Sequence, residues 1–139
     1  ALKEAQDVGA AEADPSLDVD GWDTAFKLLI IVNSVLGANI TLDDIDVTGI
    51  TDITADMLRA EAARGNTIKL VASAKNGKYS VKPIVLAKSD FLGSCDGWEM
   101  AVEIHSDIYG ISYHKLYEKE PIPTAASMMR DAVNIFSKN

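Results

Sequence analysis

The sequence predicts an α+β fold, a mixed four- to five-stranded β-sheet with helices on one face. Three observations lead there. Segments with helix-forming residues and helix-end signals occur at both ends of the chain and before residue 65. Between residues 67 and 117 the pattern changes to period-two alternation, broken by turn signals. No repeat or low-complexity linker interrupts the 139 residues, so residues 1–139 read as one domain.

The elements follow in order. Ala1 to Val8 are strong helix formers, and Gly9 stops them. Ala10 to Asp20 reads as an ordered acidic loop containing Pro15. Asp20 is placed to cap the next helix, with Asp23 as the capping-box acid. That helix runs from about Gly21 to Leu36 and ends at Gly37; its lower half is apolar nearly all round, which predicts burial on most sides. Ile40 to Ile53 is an irregular connector with one short strand or helical turn. A helix follows Thr54 and closes at Gly65.

Strands are expected over Thr67–Lys75 and Lys78–Ala87, joined by a type I′ turn at Asn76-Gly77. Pro83 points to an edge position or a bulge. Two further strands, Glu99–Ser106 and Gly110–Tyr117, alternate again, and a last helix runs from Pro123 to about Phe136.

Composition narrows the function. Thirteen Lys and Arg against twenty-one Asp and Glu give a net charge of −8, which argues against binding a nucleic-acid backbone. No apolar run is long enough to span a bilayer. One cysteine, Cys95, has no partner for an internal disulfide, which suits a reducing compartment and a cytoplasmic location. Gly-rich nucleotide loops, GxSxG and HExxH are absent. His105 and His114 read as structural or solvent-facing, and no neighbouring cation activates Cys95. A hand-type calcium loop on Ser16, Asp18, Asp20 and Gly21 fails at its twelfth position, where Lys27 replaces the required Glu; no metal site is expected. The chain opens in mid-helix without an initiator Met, and it reads as part of a longer protein.

One constellation remains. Glu12, Asp14, Asp18, Asp20, Asp23 and Lys27 lie within sixteen residues, and Asp23 and Lys27 share a helix face. On the residues alone two readings stay open. The pair is either an exposed i,i+4 contact among turn and cap acids, or a lysine partly desolvated by Phe26 and Leu28 and suited to exchanging protons. In the second case, the surrounding carboxylates would hold the cationic amine of a small substrate.

The run from Ala5 to Lys27 resembles the signature of homoserine dehydrogenases, A-x-x-x-G-…-E-x-D-P-x-x-D-x-x-G-x-D-x-x-x-K, and matches all nine fixed residues over 23 positions. Gly49-Ile50-Thr51, the Ile68-Lys69-Leu70 strand, Pro123-Thr124-Ala125 and Asp131 extend the resemblance over essentially the whole chain. It implies a substrate-binding, catalytic and dimerisation domain that interconverts L-homoserine and L-aspartate 4-semialdehyde. Lys27 would exchange a proton with the substrate oxygen and Asp23 would orient it. Glu12 and Asp18 would bind the substrate. NAD(P) would be held mainly by an absent N-terminal domain, which accounts for the missing glycine fingerprint. Strands with apolar residues on both sides predict a homodimer through the sheet face. The final helix is expected to leave Met128, Met129 and Phe136 exposed.

Two departures stand out. Ala10 replaces an aromatic residue, and the bulky stretch Leu116 to Pro121 replaces a glycine-rich loop that approaches the cofactor. Glu118 and Glu120 would repel a phosphate there. They motivate an alternative: a redox-inactive, dehydrogenase-like module that binds an amino acid.

Overall fold

The computed structural model describes residues 2–7, 9, 13–119 and 121–137. The chain forms two compact units, residues 1–87 and 88–139.

The first unit begins with α1 (Leu2–Asp7), and Gly9 follows with φ of +74°. A short helix α2 (Ser16–Val19) precedes α3 (Trp22–Leu36). A 3₁₀ turn (Leu42–Asp44) leads into strand β1 (Ile45–Val47); α4 (Ala55–Ala63), β2 (Asn66–Lys75) and β3 (Lys78–Ala87) complete the unit. Thr54 caps α4 by accepting a hydrogen bond from the Met57 amide at 3.2 Å. Asn76 and Gly77 both have positive φ, 52° and 71°, as a type I′ turn demands.

β3 is the central strand, antiparallel to β2 and parallel to β1. The register places Ile68, Leu70, Ala72 and Ala74 beside Val85, Pro83, Val81 and Tyr79 on one face. Against that face α3 lays Ala25, Leu28 and Val32, which are buried with Ile45 and Val81. Asn33 ends the apolar run by clamping the Ile40 backbone: its Nδ2 donates to the carbonyl at 2.9 Å and its Oδ1 accepts from the amide at 2.8 Å.

Pro83 lies in this central strand without cost. The Thr48 amide donates to the Val81 carbonyl at 2.8 Å, so Val81, and by alternation Pro83, turn their backbone polar groups toward the β1 side. The β1 pairing stops at Val81, and the missing N–H of Pro83 falls past it, at what is locally an edge.

The second unit holds an antiparallel hairpin, β4 (Glu99–Ser106) and β5 (Gly110–Tyr117), and α5 (Ile122–Phe136). The hairpin turn is held by Ser106 Oγ, which accepts from the Ile108 and Tyr109 amides, each at 3.2 Å. Lys115 Nζ donates to Glu99 Oε2 and Ser94 Oγ, each at 3.1 Å, and lies 5.7 Å from the Phe91 ring centroid; Phe91 packs on Tyr113. The Asp96 amide, and then Lys115, hold Glu99 below the ordinary carboxylate range.

The α+β class is as expected, and the five strands among the described residues fall within the expected four to five. They are distributed as a three-stranded mixed sheet and a two-stranded hairpin. Alternation specifies which face a residue occupies, not which strand edges pair, so the distribution was not readable from it. One further expectation is corrected. The helix at 22–36 buries one stripe only: Ile30, Ile31, Val35 and Leu36 are exposed, because a single sheet face covers it. The second face of β2 and β3 mixes apolar and charged residues. Val71, Ile84 and Leu86 share it with Lys69, Lys75, Lys78 and Lys82, and Lys82 pairs there with Asp46. Another exposed apolar face lies on the hairpin, where Met100, Val102, Ile104 and Leu116 stand about half exposed. Met128, Met129 and Phe136 of α5 are exposed, as expected.

Candidate functional site

The signature residues gather where α2 turns into α3. Pro15 fixes the entry to α2, and the Val19 amide donates to its carbonyl at 2.9 Å. Asp14 closes the preceding turn: its Oδ1 accepts from the Ser16 amide at 3.1 Å, and the Ser16 hydroxyl and amide together hold its pKa below the usual value. Asp20 ends α2 rather than starting α3. Gly21, at φ of +86°, makes the left-handed turn between the two helices and stands at the N-cap of α3 with no side-chain cap. The expected capping roles of Asp20 and Asp23 are therefore not realised. An extra turn of helix consumes Asp20, and the glycine that follows supplies the reversal.

Asp23 is engaged elsewhere. Lys27 Nζ donates to Asp23 Oδ2 at 2.7 Å, one turn apart on α3. Of the two readings left open for this pair, the structure shows the exposed contact: the Lys27 side chain is 67% exposed and that of Asp23 42%. The reason is angular. Ala25, Leu28 and Val32 face the sheet, and Lys27 points away from that stripe. At this exposure the pair adds only about 0.2–0.5 kcal/mol to stability. It orients the ammonium without burying it. Asp18 sits on α2, is exposed, and makes no side-chain hydrogen bond among the described residues. Glu12, the fourth candidate, lies outside the described residues, as do Ala10 and Glu120.

Two glycines that the sequence reading did not assign to the site shape it. A Cβ on Gly21 would sit 3.4 Å from the Cγ1 atoms of Val47 and Val81, so the start of α3 rests directly on the sheet. A Cβ on Gly49 would lie 2.3 Å from the Val19 carbonyl oxygen and 2.6 Å from Asp20 Cα. The adjacent Ile50 amide donates to that same oxygen at 2.7 Å. A glycine between β-branched Thr48 and Ile50, with no turn to explain it, was the available signal.

Other candidates stay structural. His105 pairs with Glu103 on the hairpin, and Cys95 Sγ donates to the Glu99 carbonyl at 3.1 Å. In the second unit Glu118 Oε1 accepts from Thr124 Oγ at 2.7 Å, which puts a carboxylate at the head of α5. Such a place would otherwise attract an anion. With bulky Leu116 and Tyr117 beside it, this stretch does not fit a dinucleotide phosphate.

Comparison with known proteins agrees with the signature. A family model described as homoserine dehydrogenase matches residues 1–133. The homoserine dehydrogenase of Methanocaldococcus jannaschii is 34% identical over 140 residues, covering 99% of this chain and 40% of that protein. The crystal structure of a homoserine dehydrogenase from Thiobacillus denitrificans superposes with a TM-score of 0.84 at 32% identity, over 96% of this chain and 32% of that one. A hyperthermophilic archaeal homoserine dehydrogenase mutant in complex with NADPH gives 0.77 at 28% identity, over 99% and 40%. The chain thus spans well under half the length of the relatives it matches, while the match runs through nearly all of its own residues. It belongs to the homoserine dehydrogenase family.

Proposed function

We propose that residues 1–139 are the catalytic and substrate-binding domain of an NAD(P)-dependent homoserine dehydrogenase, acting in amino-acid biosynthesis in the cytoplasm. The reaction interconverts L-homoserine and L-aspartate 4-semialdehyde. The observation that carries the reading is the 2.7 Å Asp23–Lys27 contact at the head of α3, inside a fully matched signature. The nicotinamide cofactor, when bound, supplies or accepts the hydride. The residues of this chain handle the proton and the substrate's position. In the reductive direction the Lys27 ammonium gives a proton to the oxygen developing from the aldehyde; in the oxidative direction the amine takes it from the hydroxyl. Asp23 holds the ammonium in one orientation, and Glu12 and Asp18 bind the homoserine amino and hydroxyl ends.

Membership of the family assigns the nucleotide mainly to protein outside this chain, and the misfit of the stretch around Glu118 to a phosphate supports that assignment. The exposed hairpin face of Met100, Val102, Ile104 and Leu116 supports the homodimer, since burying it removes apolar surface from water. Among the described residues no helix is long and apolar enough to cross a membrane.

The Glu118–Thr124 contact favours a second reading, a redox-inactive module that keeps the amino-acid site. Calorimetric titration of the longer protein with homoserine and NADP⁺ separates the two. Binding of both ligands, with homoserine binding weakened by Asp18→Asn, is the expected result. Homoserine binding without any nicotinamide binding would select the module.

A further inference from the structure

We infer that Gly49 is a positioning residue that sets homoserine affinity by seating α2, and with it Asp18, against the connector after β1. This rests on the proposed role of Asp18 as a substrate ligand. The connector meets the end of α2 backbone to backbone: the Ile50 amide donates to the Val19 carbonyl at 2.7 Å, and a side chain at residue 49 would lie 2.3 Å from that oxygen and 2.6 Å from Asp20 Cα. Both obstacles are main-chain atoms, which cannot swing aside as a flexible side chain would. Any β-carbon at 49 must therefore drive the connector and α2 apart by about 1 Å, a displacement large enough to matter for a bound ligand.

The α3 helix is seated differently. A Cβ on Gly21 would sit 3.4 Å from Val47 and Val81 and 3.7 Å from Gly49 Cα, an ordinary contact distance, and Ala25, Leu28 and Val32 lock the helix to the sheet. The Asp23–Lys27 pair travels with α3. A disturbance at Gly49 consequently moves Asp18 relative to Lys27 and leaves Lys27 paired. The position of Asp18 is thereby set by the contact of α2 with the connector, and that of Lys27 mainly by the packing of α3 side chains on the sheet.

The test is steady-state kinetics of Gly49→Ala in the longer homoserine dehydrogenase, with Asp18→Asn and Val32→Ala alongside. The expected result is a homoserine KM raised about tenfold or more, with kcat within about threefold and the cofactor KM unchanged. Val32→Ala, a core change of the same unit, is expected to lower thermal stability while leaving the homoserine KM at its original value. If Gly49→Ala lowers only kcat or the active fraction, or leaves the homoserine KM unchanged, the inference is overturned. Should that variant fail to fold, replacing Ile50 by its α-hydroxy acid removes the amide donor to Val19 without adding an atom, and the same kinetic split is expected. An Asp18→Asn variant with unaltered homoserine KM would instead overturn the substrate role on which the inference rests. A raised KM in Asp18→Asn beside an unchanged one in Gly49→Ala defeats the positioning role alone.

Discussion

The two units differ in where their apolar surface goes. In residues 1–87 a stripe of α3 closes on β1 and β3, and Ala25, Leu28, Val32, Ile45 and Val81 leave the solvent. Among the described residues of the second unit no large hydrophobic side chain is buried to that degree, and Met100, Val102, Ile104, Leu116 and Phe136 are exposed. The first unit owns a core, so its stability does not rest on the charged groups arranged on its surface. The second is dominated by a two-stranded hairpin, an arrangement that is marginal unless one of its faces is covered. Its exposed face is thus the part whose contribution depends on the proposed association.

That contrast breaks most easily at the core. Leu28→Ala should cost about 2–5 kcal/mol in urea unfolding of the chain, whereas Met100→Ala should stay within about 0.5 kcal/mol. Equal losses at the two positions would abolish the distinction. The next largest effect concerns the surface of the first unit. Asp23→Asn is expected to lower turnover of the longer protein about ten- to hundredfold, or about 1.4–2.7 kcal/mol in barrier height. Stability should change by only a few tenths of a kcal/mol, since the ion pair is exposed. A drop of several kcal/mol in its unfolding free energy would make the pair structural.

Val102→Glu sharpens the comparison from the other side. Light scattering of the longer protein should show dissociation of the proposed homodimer, with the melting temperature of the isolated chain almost unaffected. A dimer that survives the charge would place the interface elsewhere.

The smallest effect is in acid. Asp44 Oδ2 accepts from the Thr41 amide at 2.8 Å and the Thr41 hydroxyl at 3.0 Å, which hold its pKa below the ordinary 3.8. Because the folded value is the lower one, this contribution is present above the unfolded pKa and is lost as the pH falls through the folded value. Glu61 follows the same sign, held down first by Asn66 and then by Arg64. Asp44→Asn should therefore flatten the acid limb of the melting-temperature profile slightly; an unchanged limb would remove this carboxylate from the account.

Much of this was legible because the signals are local. Gly37 and Thr54 act within one turn of chain, and Asn76-Gly77 requires a backbone few other pairs adopt, so the helix and hairpin boundaries fall within a residue or two of expectation. Lys27 and Asp23 were legible as a pair because a helix places residues four apart on one face. The rest depends on contacts distant in sequence. Asp20 looked like a cap until Gly21 supplied the turn. The exposure of Lys27 follows from which stripe of α3 meets the sheet. Gly49 has meaning only once residue 19, thirty positions earlier, is seen against it.

The central claim is that Lys27 handles the substrate proton while contributing little to the fold. It is tested most directly by homoserine-dependent NAD(P)H formation in the longer protein, wild type beside Lys27→Ala, followed by nicotinamide absorbance with melting temperatures from the same preparations. The account predicts turnover reduced by about 10²–10⁴-fold and a melting temperature nearly unchanged. Wild-type turnover in a folded Lys27→Ala protein would contradict it.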